Sequence, residues 1–266
     1  MDRPYLSVII PVYNEAACIA ETLSAVATEL DRLGQPWEII VADDGSEDQT
    51  GAIVRDRQRL DARVRLITEP HRGKGAAVRR GMLAATGAWR FLADADLSMP
   101  IDELRHFLPV PGEIPADIVI GSREATGSRR LAEPRYRHTL GRFFNWMTKV
   151  VVVGGIEDTQ CGFKLFSAEA AAALFPYQQL DGFGFDVEIL YLAHRAGFIV
   201  REIPITWVYC AHSTVTAFSG AAGFVDLLRI RWNQMRSAYP PVTQARASAR
   251  RDVATPPRGA ARPDVR

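Results

Sequence analysis

Cysteine is scarce: Cys18, Cys161 and Cys210 are the three in 266 residues, an odd number without metal-ligand spacing. No disulfide framework or zinc site is indicated, and a reducing cytosol suits such a chain. Long apolar runs are missing too. Nothing approaches the roughly 18 consecutive apolar residues of a membrane span, and Val150 to Ile156 is too short. The opening Met-Asp-Arg-Pro-Tyr enters a short apolar run without the basic n-region and long h-region of a secretory signal, so neither export nor a membrane span is expected. Charge of one sign is also lacking, with 32 lysines and arginines against 31 aspartates and glutamates. That balance gives no argument for a nucleic-acid partner. Neither Gly-x-Gly-x-x-Gly after the first apolar run nor Gly-x-x-x-x-Gly-Lys-Ser/Thr is present, which disfavours a Rossmann oxidoreductase and a Walker-type ATPase. No internal repeat is found.

What is present is enough apolar material, 47% of the chain, for one large core. Runs rich in β-branched residues, Leu6–Pro11, Trp37–Asp43, Val64–Thr68, Trp89–Ala93 and Ile118–Gly121, alternate with segments of helical period. Continuous apolar strands alternating with helices predict an α/β fold, a parallel sheet covered on both faces. Ser46 and Gln49 have capping-box spacing and predict a helix start after the second strand. Glu124–Glu133 is polar and without period, and is expected to be a loop that moves when no ligand is bound.

Two amphipathic basic helices are expected, Arg135–Val153 and Ala221–Arg236; the second carries Phe224, Val225, Leu228, Trp232 and Met235 against Arg229, Arg231 and Arg236. Each alone reads first as a core face plus a solvated face; the sharper reading is a pair lying on anionic lipid. From Pro240 to Arg266 six arginines face two aspartates in a proline- and alanine-rich stretch, expected to be a disordered tail after a domain spanning 1–239.

The chemistry gathers at predicted strand ends. Pro11-Val12-Tyr13-Asn14-Glu15 closes the first strand and Asp43-Asp44-Gly45-Ser46 the second. Carboxyl ends of neighbouring parallel strands bound a ligand crevice, where acidic groups can accept from a base N–H or a ribose hydroxyl. His71-Arg72-Gly73-Lys74-Gly75 follows the third strand and suits a loop whose amides and Lys74 ammonium approach a phosphate. Ala93-Asp94-Ala95-Asp96 follows the fourth. Two carboxylates one residue apart in an extended segment point the same way, and a shared magnesium or manganese ion would relieve their repulsion.

With Gly121-Ser122-Arg123, these motifs in this order resemble the family 2 glycosyltransferases of the GT-A fold. Asp158-Thr159-Gln160-Cys161-Gly162-Phe163-Lys164-Leu165-Phe166, then Phe185-Asp186-Val187-Glu188-Ile189-Leu190-Tyr191 and Glu202-Ile203-Pro204, are similar to the dolichyl-phosphate glucosyltransferases and related polyprenyl-phosphate mannose synthases. The resemblance covers residues 6 to 236. It implies the GT-A nucleotide-diphospho-sugar transferase fold, with a central, mostly parallel sheet. It also implies that Pro11, Tyr13, Glu15 and Asp43 hold the nucleoside, and that Asp94 and Asp96 form the metal-and-diphosphate motif, with Asp96 the direct ligand of Mg2+ or Mn2+. Arg123 matches a position near the transferred sugar or acceptor phosphate; Asp158 and Lys164 lie in the segment shaping the acceptor side.

The implied reaction is inverting transfer of a hexose to a polyprenyl or dolichyl phosphate at the cytoplasmic membrane face, by an enzyme held there peripherally. UDP-glucose is the favoured donor, GDP-mannose and a non-lipid acceptor stay open, and a binding protein without catalysis is the alternative from another class. The chain departs from relatives at Leu97-Ser98, where glycine or glutamine is common, and at Ala211-His212-Ser213-Thr214, where Gly-Ser-Lys is common. It also lacks the transmembrane anchors several relatives carry.

Overall fold

The computed structural model describes residues 3–131, 155–208 and 217–239. In chain order the strands are β1 (Leu6–Val12), β2 (Trp37–Asp43), β3 (Val64–Thr68), β4 (Trp89–Leu92), β5 (Ile118–Ser122), β6 (Arg129–Leu131), β7 (Lys164–Ser167), β8 (Val200–Pro204) and β9 (Thr206–Val208). The helices are α1 (Ile19–Leu33), α2 (Thr50–Leu60), α3 (Lys74–Ala84), α4 (Ala168–Leu174), α5 (Phe185–Arg195) and α6 (Ala217–Met235). Seven strands form one sheet in the order β3-β2-β1-β4-β7-β5-β8. Only β7 runs antiparallel to its neighbours, β4 and β5; every other pairing in that sheet is parallel. The expected mostly parallel α/β sheet is therefore found, with strand bounds within one residue of those predicted.

Successive side chains of a strand point to opposite faces, so an unbroken apolar strand needs cover on both. On one face Ile9, Ile40, Leu92 and Ile120 pack with Val78 and Met82 of α3 and with residues of α4, α5 and α6. On the other, Val8, Ile10, Ile39 and Phe91 pack with Leu23, Val26 and Leu30 of α1 and Val54 of α2. The buried positions of α1 recur at three- and four-residue spacing, and Gly34, at φ 64°, ends it in the left-handed conformation. Each fully buried aliphatic side chain here contributes about 2 kcal/mol of transfer free energy.

Three local expectations change. The capping box is not formed: Ser46 Oγ accepts from the Asn14 N–H at 2.9 Å, and α2 starts at Thr50, whose N–H donates to Asp48 Oδ1 at 2.9 Å. The polar stretch after Glu124 contains β6, paired in parallel with β9. The helix expected from Ala221 begins at Ala217, and its expected core stripe faces outward. Val225, Leu228, Trp232 and Met235 are 49–71% exposed, whereas Leu227 and Ile230 are buried. The helix Arg135–Val153 and the tail lie outside the described residues.

Candidate active site

Register sets the cleft. Val12 pairs with Asp43 and Ile9 with Leu92, so the segments leaving β1, β2 and β4 emerge side by side at their carboxyl ends. Asn14, at φ 56°, turns the first of them: its Oδ1 accepts from Glu47 N at 2.8 Å, and Glu15 N donates to Thr50 Oγ1 at 2.8 Å. Asp43, almost fully buried, accepts from Ser46 N at 2.9 Å. Asp44, equally buried, accepts from Arg72 N at 2.9 Å and from Gly73 N at 2.9 Å to Oδ2. It thereby ties the Asp-Asp-Gly-Ser turn to the glycine-lysine loop. His71 Nδ1 lies 2.8 Å from Asp44 Oδ2, and its ring stacks on Tyr13 with centroids 4.1 Å apart. Gly45 sits at φ +76°, where a Cβ would come within 2.8 Å of His71 N, so the turn requires glycine.

Lys74 Nζ reaches Asp94 Oδ1 at 2.6 Å. Burial opposes the ammonium, but Asp94, Asp186 and Asp96 outweigh it and hold the lysine above its ordinary range. The second oxygen of Asp94 lies against Gly162, where any Cβ would overlap the carboxylate; this explains a glycine in the segment Asp158–Phe166. The turn beyond Asp94 is fixed by Thr22 Oγ1, which donates to Ala95 O at 2.6 Å, and by Leu97 at φ 44°. Asp96 is exposed and accepts from Ser98 N at 3.0 Å. Burial, then the charges of Asp96 and Asp94, raise the Glu15 carboxyl above its usual range against a thiol hydrogen bond from Cys18. Glu15, Asp94 and Asp96 thus form one anionic field.

This oxygen-only field suits a hard divalent cation. Among the described residues no three His, Cys, Asp or Glu side chains form a cage for a metal ion. Magnesium ions are commonly held by one or two carboxylates completed by substrate phosphates and water, and the exposed Asp96 beside Asp94 fits that mode.

On the other side of the cleft Arg123, just past β5, forks onto Asp158: Nε to Oδ2 at 2.6 Å, Nη2 to Oδ1 at 2.9 Å, with its own N–H to Oδ2 at 3.0 Å. Asp158 is fully buried. Burial alone would raise its pKa, but Arg123, aided by Lys164, holds it down at about 2. Lys164, expected in the segment shaping the acceptor side, is buried. It starts β7 between Leu92 and Ile120, is 1% exposed, pairs with Asp186 at 2.6 Å, and donates to Cys161 O.

Of the residues singled out in the sequence, Tyr13, Glu15, Lys74, Asp94 and Asp96 gather along one edge, with Arg123 and Asp158 on the other side. Pro11 and Asp43 are enclosed and shape the edge from within, and Lys164 is walled in. Asp44, His71 and Asp186 were missed as site residues. The doubled acid after β2, the His-Arg-Gly-Lys-Gly loop and the Phe-Asp-Val-Glu motif were their signals.

The family model described as glycosyl transferase family 2 matches residues 7–175. The chain is 33% identical over 249 residues to the dolichyl-phosphate beta-glucosyltransferase of Dictyostelium discoideum, covering 88% of this chain and 76% of that protein. Identity to the Homo sapiens protein of the same name is likewise 33%, over 88% and 77% of the two chains. Among solved structures it resembles glucosyl-3-phosphoglycerate synthase from Mycobacterium tuberculosis in complex with UDP, with TM-score 0.62 and 20% identity over 85% and 80% of the chains. The same protein in complex with Mn2+ and UDP-glucose gives TM-score 0.61 and 18% identity over 85% and 79%. At such identity the likeness speaks for the fold, which is GT-A.

Proposed function

The chain belongs to glycosyl transferase family 2, and from that premise we propose that it transfers glucose from UDP-glucose, with inversion, to dolichyl phosphate or a similar polyprenyl phosphate. The similarity to the dolichyl-phosphate beta-glucosyltransferases extends beyond the family model's residues 7–175 to 88% of the chain. The observation that carries the reading is this similarity, 33% identity over 88% of the chain, and the fork of Arg123 onto Asp158 accords with it. An effective general base has a pKa near the working pH, whereas this carboxylate is locked in a fork with Arg123 and held at about 2. It suits an acceptor that needs no deprotonation, and a lipid phosphate is already anionic. Catalysis then rests on positioning.

In this scheme Tyr13 supports the base, while Asp43 and Asp44 hold the loops around the nucleoside. Lys74 meets the diphosphate. Arg123 presents its guanidinium to the acceptor phosphate behind the anomeric carbon, and in-line attack inverts the configuration. Asp96 and Asp94 would hold a magnesium or manganese ion, which when bound offsets the charge developing on the leaving nucleoside diphosphate. Lys164 serves from behind the cleft.

We place the enzyme peripherally on the cytoplasmic membrane face. No described helix is long and apolar enough to cross a membrane. The outward stripe Val225, Leu228, Trp232 and Met235 on α6, beside exposed Arg229, Arg231 and Arg236, supports contact with anionic lipid.

The test is product formation by purified protein with Mn2+ or Mg2+, offering UDP-glucose and GDP-mannose in parallel. A polyprenyl phosphate is presented in anionic or neutral vesicles, with 3-phosphoglycerate as the soluble acceptor. Metal-dependent lipid-linked glucose is expected, faster on anionic vesicles, and reduced on the order of 100-fold or more in Asp96→Ala. Turnover on the soluble acceptor with none on lipid would overturn the acceptor; a mannosyl product would overturn the donor.

A further inference from the structure

The donor loop is built against a second segment, residues 178–182, with little space between them. A Cβ on Gly73 would lie 2.6 Å from Asp181 O, and one on Gly75 would lie 2.7 Å from Leu180 O. Gln178 Nε2 donates to Gly75 O at 2.8 Å, Ala76 N to Asp181 O at 3.1 Å, and Arg72 Nη2 to Asp181 Oδ2 at 2.7 Å. The residues on either side of Lys74 are thus packed against 178–182.

That segment is held by Glu188 of α5, a fully buried carboxylate that accepts from Leu180 N at 2.8 Å and from Gln179 N at 3.0 Å to Oε2. Its other support comes from the end of the described chain. After α6 the backbone turns at Ser237, at φ 54°, with Ala238 N donating to Asn233 O at 2.9 Å. A serine in the left-handed region is a costly turn, and here it returns the chain to the core. Tyr239 is thereby buried beside Tyr191, and its hydroxyl donates to Glu188 Oε1 at 2.6 Å. Asp226, on the buried side of α6, accepts from Gly184 N just before α5, a second tie between the same two helices.

We propose that Tyr239 and Glu188 are positioning residues for the donor loop: through this pair α6, the last of the described helices, sets the placement of the segment that carries Lys74. The inference rests on the reading that Lys74 meets the donor diphosphate. It gives the α6 region two roles, since the helix carries the exposed apolar stripe and the turn after it brings the Tyr239 hydroxyl to Glu188. Physical coupling of this kind is a chain of contacts with a testable energy.

Full-length Tyr239→Phe and Glu188→Gln, each with and without Lys74→Ala, are titrated with UDP by calorimetry, and their KM and kcat for UDP-glucose are measured. Tyr239→Phe keeps the ring in place, and Glu188→Gln keeps the shape of its side chain. Each single variant is expected to weaken UDP and raise the UDP-glucose KM about tenfold, the scale of one charge-assisted hydrogen bond, with kcat changed less than about twofold. In the Lys74→Ala background this effect should vanish, because the pair acts through the loop. Unchanged UDP affinity alongside a lowered melting temperature, or an undiminished effect without Lys74, would reduce the pair to a structural role. Should Lys74→Ala alone leave UDP affinity intact, the donor-loop reading itself falls, and the proposal with it.

Discussion

On the β1–β4 side of the cleft the enclosed carboxylates accept from backbone amides, Asp43 from Ser46 and Asp44 from Arg72 and Gly73. On the β5–β8 side they face cationic side chains, Asp158 the fork of Arg123 and Asp186 the ammonium of Lys164. The two arrangements serve different ends. An acid held by amides organises a loop and leaves the cleft chemistry to exposed neighbours such as Tyr13 and Asp96. A buried ion pair is part of the framework: its formation offsets desolvation, and losing one partner strands the other charge. Substitutions on the β1–β4 side should therefore remove function and spare the fold, while those on the β5–β8 side should damage both.

The largest expected effect is on the pair with the least access to water. Lys164→Ala removes the cation hydrogen-bonded to buried Asp186, with only the charge of Lys74 still acting on it, and should cost about 3–5 kcal/mol of stability, read as a lowered urea midpoint. The double variant Lys164→Met/Asp186→Leu should recover most of that loss, since an apolar pair needs no neutralisation. If Lys164→Ala unfolds at the midpoint of the parent protein, the distinction between the two sides breaks and Lys164 is no part of the framework.

Lys164 also marks where the sequence stops being readable. The β-branched runs located the first five strands, because a strand covered on both faces is apolar throughout. The acids and glycines after them were expected at one edge and are found there, because those segments leave neighbouring strands side by side. Whether a lysine at the start of β7 opens to the cleft or is roofed over depends instead on Asp186, 22 residues later. The failed capping box has the same origin: Ser46 has the right spacing, but its hydroxyl oxygen is taken by Asn14, 32 residues earlier. On α6 the period was right while the face stayed open between core and lipid, since periodicity finds a stripe without saying which side meets the sheet. The strand β6 is three residues long and polar, and only its pairing with β9 makes it visible.

A smaller effect sharpens the contrast through pH. Asp158 is held at about 2, below the ordinary aspartate value of 3.8, so its pairing with Arg123 contributes fully above that ordinary value and is lost as pH falls through the folded one. The contribution at neutral pH is about 2 kcal/mol. Urea midpoints followed from pH 6 to about 2.5 should fall less steeply in Asp158→Asn than in the parent protein, because the variant has no carboxylate there to protonate. Equal slopes would place the acid sensitivity elsewhere and remove Asp158 from the framework.

The smallest change to the fold should come from Tyr13, which is 38% exposed and has its ring stacked on that of His71, itself largely exposed. Tyr13→Ala removes that stacking, worth about 1 kcal/mol or less at so open a site, and the melting temperature should shift little. The donor should feel it more. An aromatic surface under a base contributes about 1–3 kcal/mol, so UDP affinity measured by calorimetry should drop about tenfold or more. Tyr13→Phe should restore it, because stacking needs the ring and not the hydroxyl. A Tyr13→Ala protein that loses stability in step with affinity would mean that the donor side, too, is framework, and that its amide-held acids are organised around this ring rather than around the nucleotide.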